Sequence, residues 1–233
     1  MRLDKFLAHA GLGTRREVKQ MIRDKRILVN DIHPKTDSHD INHFVDIVLV
    51  DGKQIIYKEF HYVLLHKPKG YVCATEDTLN PPVTDLLIEY KPFNLFPVGR
   101  LDKDTTGVLL LTNNGRLAHR MLSPKHHVEK EYLVTVDVPL DSSIIPAFEK
   151  GIEINGEYTT LPAKMEIIDD THAKVVIHEG KYHQVKRMFI ALGYKVIELH
   201  RHRFDFLYVN DLALGQYREL NEIEFEQLKK YLD

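Results

Sequence analysis

Leu3, Phe6, Leu7 and Ala10 recur at the spacing of one helical face, and Gly11 with Gly13 ends that run as C-cap residues do. Thr14 then stands at an N-cap position with Glu17 three residues on, which completes a capping box. Val18, Met21 and Ile22 form the inward stripe of a second helix, and Arg15, Arg16, Lys19, Arg23 and Arg26 project from its other side. Residues 27–30 and 45–50 read as short strands, with Asn30-Asp31 and Asp51-Gly52 as turn signals.

Beyond a short junction at 58–61, strand-like runs (62–65, 108–112, 132–136, 173–177, 196–199) alternate irregularly with helical ones (115–122, 142–150, 183–192, 222–232). This order predicts an α+β chain: a small N-terminal domain over 1–57, then a larger domain over 62–233 built on a mixed, mostly antiparallel sheet flanked by helices. The sequence has no internal repeat and no Gly-rich phosphate loop of the Walker or dinucleotide type.

Composition excludes a disordered chain, since 43% of the 233 residues are hydrophobic and 28% charged. The net charge of -2 argues against a nucleic-acid binder until it is divided. Residues 1–35 hold nine basic side chains against four acids, a net of +5, so the remainder carries -7. Such asymmetry is the sign of a basic module that meets polyanions, although on charge alone a solvated helix surface reads equally well. The single Cys73 excludes an intramolecular disulfide and a cysteine-rich zinc ribbon, and fits a reducing compartment. The charged N-terminus lacks the apolar run of a signal peptide, and no stretch of about 18 apolar residues occurs, so a soluble cytoplasmic protein with no membrane partner is expected.

Four segments are candidates for chemistry. Lys67-Pro68-Lys69-Gly70-Tyr71 is either an ordinary turn or a cationic loop following a strand. The polar loop from Gly99 to Gly107 feeds an apolar strand; its Asp102 either caps backbone N–H groups or acts as nucleophile or base. In the run from His127 to Val134, Tyr132 is either packed in the core or a platform for a base. In the run from Glu179 to Phe189 a Gly-containing turn opens a helix with His183, Lys186 and Arg187 near one end, and a cation there opposite Asp102 would hold the carboxylate ionised. The His pairs His126-His127 and His200-x-His202 lack a third metal ligand.

Arg-Leu-Asp-Lys-Phe-Leu at the start, Thr-Arg-Arg-Glu-Val and Ile-Leu-Val-Asn resemble the S4 RNA-binding domain over residues 1–57. By that resemblance Arg2, Lys5, Arg15, Arg16, Lys19, Arg23 and Arg26 grip RNA backbone. Gly-Arg-Leu-Asp-x-Asp-Thr-x-Gly around Asp102, His-Gln-Val-Lys-Arg-Met and Lys-x-Tyr together make the whole chain resemble the RsuA-type pseudouridine synthases. His66 departs from the pattern, since Asn is commoner before Lys-Pro-x-Gly.

The resemblance implies Asp102 as the catalytic carboxylate, Tyr132 stacked on the target uracil, and Lys186 as the basic partner of Asp102. It makes Leu199 the apolar closure behind the ring and assigns Arg100, Lys67 and Arg187 to substrate binding. It implies breakage of the uridine N1–C1′ bond, rotation of the bound uracil and rejoining through C5, with no cofactor and no metal. Attack of Asp102 at C1′, attack at C6 and a glycal-type elimination all remain open.

Ser123-Pro124-Lys125-His126-His127-Val128-Glu129-Lys130 and the absence of a basic tail are similar to the small-subunit branch of the family. The expected substrate is therefore 16S rRNA, at uridine 516, in a partly assembled small subunit, with the enzyme a monomer. The alternatives are a 23S rRNA enzyme of the same family and a non-catalytic S4-type RNA-binding or ribosome-assembly protein.

Overall fold

The computed structural model describes residues 1–232, and the chain divides into two compact units. The first comprises Met1–His61 together with Leu87–Leu95. It contains α1 (Leu3–His9), α2 (Arg15–Arg23) and a three-stranded antiparallel sheet, β1 (Ile27–Val29), β2 (Val48–Val50) and β3 (Lys53–Gln54). The capping box of α2 forms as its sequence predicts. The Thr14 N–H donates to Glu17 Oε2 at 2.7 Å, and the Glu17 N–H donates to Thr14 Oγ1 at 3.3 Å. Leu3, Phe6, Leu7, Val18 and Ile22 meet Ile27, Val29, Ile41, Val48 and Val50 in one core, which leaves the arginines of α2 outside.

Two details differ from the sequence reading. The strand expected over 45–50 begins only at Val48, because the Asp46 carboxylate accepts the Asn42 N–H (2.7 Å) and the Asn30 amide (2.9 Å), turning the chain and exposing Val45. The second is Leu87–Leu95, placed by the sequence in the larger domain but grouped with the first unit. The Phe93 ring packs 3.9 Å from the His61 ring and lies against Gly11, where a Cβ would come within 2.7 Å of it.

The second unit holds Tyr62–Leu86 and the chain from Phe96 onward. Its strands are β4 (Tyr62–Lys67), β5 (Phe96–Pro97), β6 (Thr106–Thr112), β7 (Lys130–Val136), β8 (Glu153–Ile154), β9 (Tyr158–Thr159), β10 (Lys164–Ile167), β11 (His172–Ile177), β12 (Val196–Phe204), β13 (Leu207–Tyr208) and β14 (Tyr217–Glu219). Its helices are α3 (Gly115–Leu122), α4 (Ile145–Lys150), α5 (Gln184–Ala191) and α6 (Glu222–Leu228). The large sheet runs β10-β11-β7-β12-β6-β4-β14, with β13 paired to β12 and β5 to β6, while β8 and β9 pair apart. All these pairings are antiparallel except β12 with β6, so the expected mixed, mostly antiparallel sheet is what forms.

Burial along β7 alternates strictly, whereas β4 and β6 are buried along almost their whole length. One core joins Tyr132, Val134 and Val136 to β11 and to α4 and α5 through Phe148, Val185, Met188 and Phe189. The other joins β4 and β6 to α3 and α6 through Leu117, Met121 and Leu228. A cavity of about 780 Å³ opens between them, walled by Leu101, Tyr132 and Leu199 of the first core and Val98, Val128 and Phe204 of the second.

Candidate active site

The loop that carries Asp102 is held by its main chain. It leads into β6, and the Thr105 N–H closes a turn on the Asp102 carbonyl at 3.1 Å. Lys67, at the end of β4, is completely buried, and its ammonium donates to the carbonyls of Asp102 (3.0 Å), Thr105 (2.8 Å), Pro68 (3.2 Å) and Lys103 (3.4 Å). Burial pulls this ammonium below its ordinary pKa, and the surrounding carbonyls replace the water it has lost. Lys67 is therefore not the substrate contact expected from the sequence. Its charge is consumed in shaping the loop, and it is absent from the cavity wall.

Gly107 fixes the other end of the loop. Its φ is +119°, and a Cβ there would collide with the Arg201 backbone, because β12 runs parallel to β6 at this point with Arg201 opposite Gly107.

Asp102 faces α5 with both oxygens. Lys186 Nζ lies 3.1 Å from Oδ2, and His183 Nε2 lies 3.4 Å from Oδ1. Lys186 also binds Asp104 Oδ1 at 2.6 Å. Burial works against its charge, but the hydrogen bonds to Asp104 and Asp102 outweigh burial and hold the ammonium above its usual pKa. Burial likewise opposes the Asp104 carboxylate, and Lys186 more than compensates, leaving Asp104 below the usual carboxylate range.

Tyr132 sits in the cavity wall opposite Arg201 in the β7–β12 register. Burial pushes its hydroxyl above the ordinary tyrosine pKa, and the neighbouring Arg201 guanidinium pulls it partly back. Leu199 is 6% exposed and also lines the cavity. Arg100 is exposed at the rim.

Arg187 does not join this group. Its guanidinium binds Glu157 at 2.6 Å and lies 5.6 Å from the Tyr158 ring centre, away from the cavity wall. The inward positions of α5 are Val185, Met188 and Phe189, so Arg187 falls on a different face from the substrate side.

Two cavity residues were not singled out by the sequence. Arg201 is 2% exposed, donates from Nε to the Val108 carbonyl at 2.8 Å, and stacks 4.8 Å from the Phe204 ring centre. Lys130 is buried against the Val128 carbonyl (2.8 Å), and burial together with Arg201 lowers its pKa to about 8. A period-two reading would have found Arg201, which shares a strand face with Leu199. Among the described residues no three His, Cys, Asp or Glu side chains are grouped as a metal ion requires.

In the first unit every expected RNA-binding side chain is exposed. Arg2 binds Asp4 at 2.9 Å, Lys19 binds Asp37 at 2.8 Å and Arg26 binds Asp51 at 2.5 Å, while Lys5, Arg15, Arg16 and Arg23 extend from the two helices.

Comparison with known proteins gives this constellation its context. Residues 61–191, more than half of the chain, match the RNA pseudouridylate synthase family, and residues 1–33 match the S4 domain. The chain belongs to the pseudouridine synthase family. The synthase is 43% identical over 232 residues to ribosomal small subunit pseudouridine synthase A of Vibrio cholerae, covering 99% of this chain and 100% of that protein. It is 43% identical over 236 residues to the RNA pseudouridine synthase YtzG of Bacillus subtilis, covering 99% of each. The Escherichia coli small subunit enzyme is 41% identical over 234 residues, with 96% of the synthase and 98% of that protein covered. A crystal structure of a pseudouridylate synthase superposes with a TM-score of 0.69 at 40% identity, covering 98% of the synthase and 99% of that chain. The synthase is thus an isomerase with an N-terminal S4 domain, and no helix among its described residues is long and apolar enough to cross a membrane.

Proposed function

We propose that this synthase isomerises one uridine of 16S rRNA, uridine 516, to pseudouridine within a partly assembled small ribosomal subunit. Full-length similarity to the small-subunit enzymes of Vibrio cholerae and Escherichia coli, S4 domain included, supports that target. The observation that carries the assignment of chemistry is Asp102, paired with Lys186 at 3.1 Å beside a cavity walled by Tyr132 and Leu199.

Asp102 is the catalytic carboxylate in this reading. Lys186 anchors one of its oxygens, Tyr132 stacks on the flipped uracil, Leu199 closes the pocket behind the ring, and Arg100 meets the nucleotide at the rim. A cavity of about 780 Å³ has room for one extruded nucleotide and for the base to turn within it. The isomerisation needs no outside donor, only a detached base kept in place between bond cleavage and bond formation. Residues 1–57 serve as the RNA-binding domain and residues 62–233 as the catalytic one. The active form in this reading is a monomer working in the cytoplasm.

Incubation with 5-tritiated 16S and 23S transcripts, naked or partly assembled, tests the proposal by tritium release. Release from 16S is expected, and Asp102→Asn is expected to abolish it while RNA binding persists. Release from 23S alone overturns the small-subunit target, and turnover by Asp102→Asn removes Asp102 from its role.

A further inference from the structure

Pseudouridine formation moves protons as well as a glycosidic bond. Joining C5 to C1′ leaves C5 carrying both the sugar and its original hydrogen, with N1 doubly bonded to C6 directly on the C1′ and glycal routes and, on the C6 route, once the N1 electron pair has expelled the Asp102 carboxylate from C6. The product appears only when a base removes the C5 proton. The C5–H electron pair then forms C5=C6, the C6=N1 pair withdraws onto N1, and N1 takes up a proton. The step is an isomerisation in protons and electrons and needs no co-reactant.

Besides Asp102, the cavity wall offers Cys73, Lys130, Tyr132, His178, Glu179 and His183 as candidate proton acceptors. Tyr132 has a hydroxyl that burial makes harder to ionise. Lys130 is committed to the Val128 carbonyl, burial pushes the Cys73 thiol up, Glu179 holds the Leu161 N–H and the Gln184 amide, and His178 turns Nδ1 to the His127 carbonyl at 3.1 Å rather than a ring nitrogen to Asp102. His183 is placed differently. It occupies the N-cap position of α5 with left-handed backbone (φ +49°, ψ +32°) and makes no side-chain cap. Its ring stacks on Tyr182 with centres 3.8 Å apart and planes 18° from parallel. Left-handed backbone and stacking together hold Nε2 at 3.4 Å from Asp102 Oδ1. Lys186 takes the opposite oxygen and is not part of the cavity wall, whereas His183 is. The oxygen left for the nucleotide is therefore the one His183 faces, so Nε2 borders the space beside that oxygen.

We propose that His183 is a catalytic residue of this synthase, the base that takes the C5 proton after the uracil has turned. The proposal rests on the reading of Asp102 as the reacting carboxylate. The charged and titratable groups around the imidazole are Asp102 and Asp104 from the loop, Lys186 one turn along the helix, and Tyr182 beneath the ring. Neutral imidazole accepts the proton, and the resulting imidazolium is stabilised by the two carboxylates it faces.

The test is single-turnover kinetics on 16S fragments carrying hydrogen or deuterium at C5, with wild type, His183→Asn and Asp102→Asn measured side by side. Asn tolerates left-handed backbone and does not titrate, so the helix start is preserved. His183→Asn is expected to slow turnover about 10²–10⁴-fold. Its RNA Kd should be unchanged, and a primary isotope effect at C5 should appear. Weaker RNA binding with a wild-type maximal rate, or a slow variant that lacks an isotope effect, overturns the proposal. Turnover by Asp102→Asn would instead overturn the reading beneath it, so the two failures are distinguishable.

Discussion

His200 should make the synthase sensitive to acid in a way that one substitution removes. The residue sits on β12 between Leu199 and Arg201, with Nδ1 2.9 Å from Thr106 Oγ1 at the end of the Asp102 loop. Burial above all, then the neighbouring His66 and His202, lower its pKa from 6.5 to about 4. The folded state therefore binds this proton more weakly than the unfolded chain. Stability from this group is complete above the unfolded value, declines as the pH falls below it, and is lost once the pH passes the folded value. A displacement from 6.5 to about 4 corresponds to at most about 3.4 kcal/mol, of which roughly 2–2.5 kcal/mol is lost between about pH 7 and about pH 4.5. Denaturant unfolding at those two pH values measures it. Carboxylates also titrate there, so the informative quantity is the difference between wild type and His200→Gln, which keeps a hydrogen-bonding side chain but no titration. The variant should lose about 2 kcal/mol less than wild type on acidification. Equal losses in the two proteins would refute the reasoning.

Other consequences can be checked as directly. Gly107→Ala adds left-handed strain of about 1–3 kcal/mol and a backbone collision with β12 of about 1–3 kcal/mol, so calorimetry should find the Tm lowered by more than about 5 °C; a smaller change would mean the strands can part. Lys67→Met leaves four carbonyls without their shared donor and should reduce kcat about 10²-fold with RNA affinity intact, whereas a matching loss of affinity would return Lys67 to the substrate. Replacing Arg15, Arg16 and Arg23 together by Ala should flatten the salt dependence of RNA binding by about 0.7–0.9 for each phosphate contact removed, and an unchanged slope would take this face out of the interface.

Local rules carried the sequence reading of the first unit a long way, because capping and helical periodicity act within a few residues. Thr14, Glu17, Val18 and Ile22 do what their spacing says. The large sheet was legible in class and in most of its strands. The parallel pairing of β6 with β12 joins segments almost a hundred residues apart, and no local pattern encodes it. The motif residues Asp102 and Lys186 meet as the family likeness implied. Lys67 and Arg187, assigned to substrate binding by the resemblance, lie outside the cavity wall, because a motif gives residue type without direction. β4 is buried on both faces, with Val63, Leu64 and Leu65 all completely buried, so Lys67 at its end is enclosed whichever way the strand period points it. His183 was seen as one of several polar groups near a helix end; what sets it apart is a left-handed backbone that residue type alone does not fix.

The ammonium of Lys67 grips carbonyl oxygens, which every residue of the loop possesses whatever its side chain. Its hold on the loop is therefore blind to sequence. The Lys103 side chain turns away to Asn80 at 2.7 Å, so what holds the loop at this residue is its carbonyl and not its charge. An anchor of this kind fixes the position of the loop's main chain independently of the side chains the loop carries, so the point from which Asp102 projects is set by backbone alone.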